Sequence, residues 1–283
     1  MKASGLDGVL PLLVCPHCGE QLERRDPVVI CCPTGHAFDI AKQGYLSLLS
    51  RTARTDTGDS ADMVAARSVF LGAGHYGPIL RAIVAAVPAG PVLEIGAGTG
   101  YYLAGVLESL VGNPGREPTV GVALDSSRYA GRRSAGAHRR IGSVVADAWS
   151  RLPFGDGMAG TVLSVFAPRS PDEISRVLSR DGTLVVVTPE PAHLIELRAP
   201  LGLLTIDPGK PERLVEAFAG RLRKVDRVQL NQHMELGRSD VLALVRMGPS
   251  ARHLEPARLA AAVDLLPETS SITLAVTVSV LER

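Results

Sequence analysis

Leu93-Glu94-Ile95-Gly96-Ala97-Gly98-Thr99-Gly100 is the stretch that decides how this chain is read. It reads as a buried strand with an acid near its end, running into a loop with glycine at every second position. Three glycines let a backbone come close to a ligand that any Cβ would hold away. A dinucleotide fingerprint, G-x-G-x-x-G, would need glycine at position 101, where Tyr101 stands, so a nicotinamide pocket is disfavoured. The strand before the loop and the helix after it supply the context that lifts the motif above an ordinary glycine-rich turn.

Working outward, Glu-x-Gly-x-Gly-x-Gly resembles motif I of the S-adenosylmethionine (SAM) methyltransferases, with Glu94, Gly96, Gly98, Thr99 and Gly100 at the cofactor. Val120 to Asp125 is a second apolar strand ending in a carboxylate, and an acid there can accept both hydroxyls of a ribose. Asp125 could equally be the N-cap of the next helix, and the two roles are compatible. Val144 to Trp149 gives a third strand and its turn, with Asp147 toward the adenine amino group and Ala148 or Trp149 near the ring. A fourth strand, Gly160 to Phe166, ends in Phe166-Ala167-Pro168-Arg169. This is not the Asp/Asn-Pro-Pro-aromatic string usual where an exocyclic amine is methylated, and no cysteine lies beyond Cys32 to serve a cytosine-C5 reaction. Both absences are compatible with attack by a ring nitrogen, making Phe166, Ala167 and Pro168 the candidate catalytic residues. Phe166 could stack on a flipped base or belong to the core. No residue stands out as the proton acceptor.

With 283 residues, the chain can hold one large domain and one small one. Its 46% hydrophobic and 21% charged content fits a globular protein. Apolar runs are broken well before bilayer-spanning length, and no signal pattern opens the chain, so a cytoplasmic protein with no membrane contact is expected. The net charge of +1 means that any nucleic-acid contact must come from local patches.

All four cysteines lie in the first 32 residues. Cys15-Pro-His-Cys18 is a C-x2-C knuckle, and Cys32-Pro-Thr-Gly-His36 offers a second ligand pair after an intervening segment that can form a hairpin, with Val28-Val29-Ile30 as its second strand. Two such turns facing each other make a tetrahedral Cys3His zinc site: Cys15, Cys18, Cys32 and His36. Cys31 could replace Cys32, although C-x3-H puts both donors on one turn more naturally. Four protein ligands leave no open position, so one structural Zn2+ is expected.

Beyond the ribbon, Ser50 to Asp59 reads as a linker, and Asp59 or Ser60 caps a helix through Phe70. In order, Cys-Pro-x-Cys, Cys-x3-His-x-Phe-Asp, Ala-Lys-x-Gly-Tyr, Gly-Asp-Ser, Ala-Gly-His-Tyr and the glycine loop resemble the 23S ribosomal RNA guanine-N1-methyltransferases of the RlmA family, including the tylosin-resistance branch. The resemblance spans residues 12 to 195. It implies an α/β, class I SAM-methyltransferase Rossmann-like fold with a small N-terminal zinc ribbon, a 23S rRNA hairpin as partner, and a homodimer with an RNA-binding cleft. It also places Tyr76 and His193 in the SAM pocket. The expected division is a zinc-ribbon RNA-recognition domain (1–50), a linker and helix closing the SAM pocket (51–78) and the methyltransferase domain (79–283).

For RNA, Arg132, Arg133, Arg139 and Arg140 lie in an acid-free run after the Asp125 strand, a solvated face or a phosphate patch. Arg24 and Arg25 at the ribbon tip, and Arg51 and Arg54 in the linker, could guide a hairpin. Two other readings compete: a methyltransferase of a small metabolite, against which the ribbon argues, and a non-catalytic zinc-ribbon RNA-binding protein, against which the intact glycine loop and Asp125 argue. The last 80 residues carry no recognisable motif.

Overall fold

The glycine loop sits at the centre of an eight-stranded sheet in the computed structural model, which describes residues 5–49, 58–88, 90–110, 119–207, 209, 213 and 216–283. A short helix α1 (Gly5–Val9) leads into the ribbon strands β1 (Glu23–Asp26), β2 (Val29–Cys31) and β3 (Ala37–Asp39), which pair antiparallel in that order. The hairpin read from the sequence is present, with Val28 in the turn rather than in the second strand. After it, β4 (Leu46–Ser47) leaves the ribbon and becomes an edge of the main sheet, running parallel to Val144 and Val145.

Next come α2 (Ala61–Gly72), α3 (Gly77–Ala86), β5 (Val92–Ile95), α4 (Tyr101–Ser109), β6 (Gly121–Asp125), α5 (Arg128–Ser134), β7 (Ile141–Val145), β8 (Ala159–Val165), α6 (Pro171–Val177), β9 (Leu178–Pro189) and α7 (Ile195–Leu201). Ser60 is the α2 cap: its hydroxyl accepts from the Met63 amide at 3.2 Å, satisfying an otherwise orphaned donor. The chain closes with β10 (Arg223–Gly237), α8 (Arg238–Arg246), α9 (Pro256–Asp264) and β11 (Thr269–Glu282).

Strand order is β10-β11-β9-β8-β5-β6-β7-β4, with β11 antiparallel to both its neighbours and the rest parallel. From β5 the chain steps outward through β6 and β7, then returns to β8 on the other side. That reversal opens a crevice at the carboxyl ends of β5 and β8, where open α/β sheets bind their ligands. Both sheet faces are covered, as a parallel sheet requires. Val92, Ala123, Leu163 and Val185 face a core with Phe70, Ile83 and Leu103, while Leu93, Val122, Val162 and Leu184 face the other. The second core also takes in Leu13, Cys15, Leu22, Ile30 and Cys32, so the ribbon packs into the core of the main sheet and is no loosely tethered bead. Among the described residues, no single helix is long and apolar enough to cross a membrane.

Candidate functional site

The loop after β5 has the left-handed backbone its glycines permit: φ is +68° at Gly96, +53° at Gly98 and +76° at Gly100. Amides of Gly96 and Ala97 donate to the Leu124 carbonyl at 2.8 and 3.0 Å, tying the loop to β6. Asp125 then locks it from the side. Its Oδ2 accepts from the Gly98 amide (2.8 Å) and its Oδ1 from the Ser127 amide (2.9 Å). Burial raises the Asp125 pKa, and the Ser127 and Gly98 amides oppose that rise. Asp125 is not the N-cap of α5; Ser127 is, its hydroxyl accepting from Tyr129 and Ala130. The carboxylate therefore keeps lone pairs toward the crevice.

The crevice is a cavity of about 600 Å3, a size suited to one nucleoside cofactor with room beside it. Tyr76, Gly96, Gly98, Asp125, Asp147 and Ala148 line it. So do Phe166, Ala167, Pro168 and His193, on the β8 and β9 side. Asp147 accepts from the Trp149 amide and the Ser150 hydroxyl, both at 2.9 Å, which fixes its carboxylate at the end of β7. Thr99 and Gly100 are not on the wall of this cavity. Glu94 is not there either; it borders a small adjoining cavity, where its Oε2 accepts from the Leu103 amide at 3.2 Å.

Burial lifts the Glu94 carboxyl to about 8 from an ordinary 4.5. A group with a raised folded pKa holds a proton that the unfolded chain has released, so stability falls as pH rises from about 4.5 toward 8. Glu94→Gln, which keeps an acceptor for Leu103, is expected to melt near wild type at pH 5 and above it at pH 8. A variant that melts lower at pH 8 would refute the assignment.

Aromatic rings form the corner of the cavity at the end of β8. Phe166 has a φ of +54°, rare for a bulky residue, and the residue is 39% exposed. It is not a core residue. Its ring stacks on His193 (centroids 6.0 Å apart, planes at 19°) and leans on Tyr76. His193 Nδ1 accepts from the Ala275 amide (3.3 Å), which assigns the proton to Nε2, 3.3 Å from the Tyr76 hydroxyl. Burial, then repulsion from Arg198, holds the His193 pKa down at about 4. His193 is thus a neutral wall residue with both nitrogens engaged, not a free base.

The far wall comes from the stretch without motifs: Leu203 to Asp207, Leu244, Val245 and Met247 to Ser250. Asp59 and Arg67 also line the cavity and were missed as site residues. A signal for Arg67 was present, since it interrupts the apolar side of α2 formed by Met63, Val64, Phe70 and Leu71.

At the ribbon, Cys15, Cys18, Cys32 and His36 place their ligand atoms within 4.8 Å of one another. Zn–S bonds of about 2.3 Å at tetrahedral angles set sulfurs roughly 3.8 Å apart. Cys18 and Cys32 are 3.6 Å apart, and the His36 Nδ1 is 3.6 Å from Cys15 and 3.4 Å from Cys32. The donor set fits one zinc ion. Cys31 is outside the cluster, in β2 opposite Ala37. Burial opposes ionisation of Cys32, yet hydrogen bonding with Thr34 and His36 brings its thiol down to about 6, favouring the thiolate that zinc binds. The Thr34 hydroxyl donates to Cys18 at 3.1 Å as an outer support.

The arginines divide. Arg24 pairs with Asp7 (2.5 Å) and donates to Pro27, and Arg140 donates to the Leu107 carbonyl (2.6 Å), so both are held by the protein itself. Arg25, Arg132, Arg133 and Arg139 are exposed. Arg51 and Arg54 lie outside the described residues.

Comparison with known proteins agrees with this geometry. The RlmA N-terminal zinc-ribbon profile matches residues 13–52. A Streptomyces fradiae protein named 23S rRNA (guanine(748)-N(1))-methyltransferase is 42% identical over 96% of this chain and 97% of its own. A Micromonospora griseorubida protein with a provisional 23S rRNA (guanine-N(1)-)-methyltransferase name is 44% identical over 95% of this chain and 96% of its own. In fold, the chain resembles a structure from the Haloferax volcanii complex of the Trm112 methyltransferase activator with a methyltransferase. That match has a TM-score of 0.50 at 16% identity and covers 82% of this chain and 99% of the other. On its similarity to relatives matched along nearly their whole length, the chain belongs to the family of 23S rRNA (guanine-N1)-methyltransferases.

Proposed function

We propose that the protein methylates N1 of a guanine in a 23S rRNA hairpin near the macrolide site and the peptide exit tunnel, and that this modification confers resistance to tylosin-type macrolides. The observation that carries the reaction is the single cavity in which the glycine loop, Asp125 and the exposed ring of Phe166 converge. When bound, SAM supplies a methyl group already activated on sulfonium, so positioning dominates catalysis.

In this reading Gly96 and Gly98 admit the cofactor close to the backbone, Asp125 accepts its ribose hydroxyls and Asp147 its adenine amine. Glu94, Thr99 and Gly100 hold the loop from behind. Phe166 is the platform for a guanine turned out of its stack, with Tyr76 and His193 fixing the ring from below. With SAM bound, N1 would receive the methyl group once its proton had left. His193 cannot take that proton, so we assign the Ala167 and Pro168 main-chain carbonyls to orienting N1–H by hydrogen bonding, and the proton itself to water leading out to solvent. Residues 1–50 are assigned to RNA recognition, 51–78 to closing the pocket and 79–283 to chemistry. Arg25, Arg132, Arg133 and Arg139 are the phosphate contacts, in a cytoplasmic homodimer.

Primer extension on 23S rRNA from cells with and without the gene tests the reaction, because N1-methylguanine blocks pairing and stops the polymerase. A new stop at one guanine is expected, and an unchanged pattern overturns the proposal. Macrolide sensitivity of the same strains tests the resistance claim. Stacking on an aromatic ring is worth about 1–3 kcal/mol per base, so Phe166→Ala should lower kcat/KM for RNA roughly ten- to a hundredfold and leave SAM affinity unchanged. An equal loss of SAM affinity would remove Phe166 from the acceptor side.

A further inference from the structure

Arg67 is the most unusual charged residue near the cavity. It lies on the buried side of α2, and its stem passes directly over the glycine loop. A Cβ built on Gly98 would come within 3.0 Å of Arg67 Cδ and 3.4 Å of its Nε. One end of the guanidinium is anchored: Nη2 donates to Asp59 Oδ2 at 2.7 Å and to the Met247 carbonyl at 2.8 Å. Nε is buried and has no hydrogen-bond partner. A buried donor left unpaired is destabilising, so a ligand oxygen that reaches it is favoured. Asp59, on the segment entering α2, lines the same cavity beside Arg67.

The direction of the cofactor is set by the strand ends. Asp125 ends β6 and Asp147 follows β7, on one side of β5. A nucleoside laid along those two acids must send its 5′ substituent back across Gly96 and Gly98, toward α2 and Met247. That substituent is an α-amino acid, carrying one carboxylate and one ammonium group. Arg67 and Asp59 present the complementary pair of charges there.

We infer that the Asp59–Arg67 pair is the receptor for the amino-acid end of SAM, with Arg67 taking the carboxylate through its unpaired Nε and Asp59 taking the ammonium. This rests on the SAM reading of the cavity. It gives α2 and the segment entering it a direct part in cofactor binding. Ser127 and Arg252 hold the same segment, through the carbonyls of Asp59 (2.6 Å) and Gly58 (2.9 Å).

Calorimetry with two ligands tests the inference without RNA. S-adenosylhomocysteine carries the amino-acid end, and 5′-methylthioadenosine lacks it. Wild type should bind the first more tightly. Arg67→Leu, which keeps an apolar stem over the loop, and Asp59→Asn should each weaken S-adenosylhomocysteine about ten- to a hundredfold. Both should leave methylthioadenosine within about threefold of wild type. Equal loss of both ligands would show that the pair merely supports the loop, and unchanged S-adenosylhomocysteine binding would remove it from the site; either result overturns the inference. Should Arg67→Leu not fold, Arg67→Lys provides the same comparison, keeping charge but losing the Nε donor. If wild type binds neither ligand, the SAM reading itself fails, a distinct outcome. Selective loss in Arg198→Leu, with Arg67→Leu unaffected, would move the carboxylate to the opposite wall and refute the assignment.

Discussion

Cys32→Ser is expected to release the metal and unfold the ribbon, while Cys31→Ser keeps about one zinc per chain. The adjacent cysteines differ in what surrounds them. Cys32 is buried, lies 3.6 Å from the Cys18 sulfur and 3.4 Å from His36 Nδ1, and shares a core with Leu22 and Ile30. Cys31 sits in β2 outside that cluster. The ribbon's own sheet adds little, since its strands are four, three and three residues long and so small a sheet is marginal on its own. Structural zinc supplies roughly 10–16 kcal/mol of apparent binding energy in small metallo-domains, so a missing ligand removes most of the ribbon's stability. The damage should spread because Leu13, Leu22 and Ile30 pack in one core with Leu93 and Leu124. Losing about 4 kcal/mol of that packing would lower the melting temperature by roughly 10 °C. Metal analysis and thermal melts of both variants check this. Zinc retained by Cys32→Ser and lost by Cys31→Ser would reverse the ligand assignment.

The metal-ligand cluster and the glycine loop were both legible because their chemistry fixes spacing along the chain. A C-x2-C knuckle and a C-x3-H turn each place two donors on one turn, and alternating glycines are needed wherever a backbone must hug a ligand. Contacts that depend on distant segments left no such trace. Arg67 meets Asp59 from its own helix entrance but is anchored by the Met247 carbonyl, 180 residues away. Leu203, Leu244 and Met247 build a wall by shape alone, and apolar residues on helices and loops have no diagnostic period for that task. β10 and β11 pair over nearly their whole length, yet they belong to a region in which no motif was recognised. The basic run was readable as charge but not as function, because only the fold shows Arg140 turned in on Leu107 while Arg132 and Arg133 face out. Asp125 was read correctly as a strand-end acid, but the cap of the next helix belongs to Ser127, two residues on.

Gly96→Ala should be the most damaging single substitution for cofactor binding. At a φ of +68°, a Cβ carries the left-handed cost of about 1–2 kcal/mol before any contact is counted. It would also meet the Ala167 Cβ at 2.5 Å, a separation that forces something to move. Neither side can yield cheaply. The Gly96 and Ala97 amides are both bonded to the Leu124 carbonyl, and Ala167 follows Phe166, itself at a φ of +54°. Displacing the loop spoils the cofactor wall, and displacing Ala167 shifts the ring assigned to the guanine. S-adenosylhomocysteine affinity should therefore fall at least a hundredfold, equivalent to about 2.7 kcal/mol, and RNA methylation should fall below detection. Gly98→Ala is the informative comparison, because its Cβ at a φ of +53° meets only side-chain atoms of Arg67, Cδ at 3.0 Å and Nε at 3.4 Å, rather than a Cβ seated on a fixed backbone. It should cost affinity less than Gly96→Ala. Should Gly96→Ala bind S-adenosylhomocysteine within threefold of wild type, the loop after β5 is not the wall against which the cofactor rests.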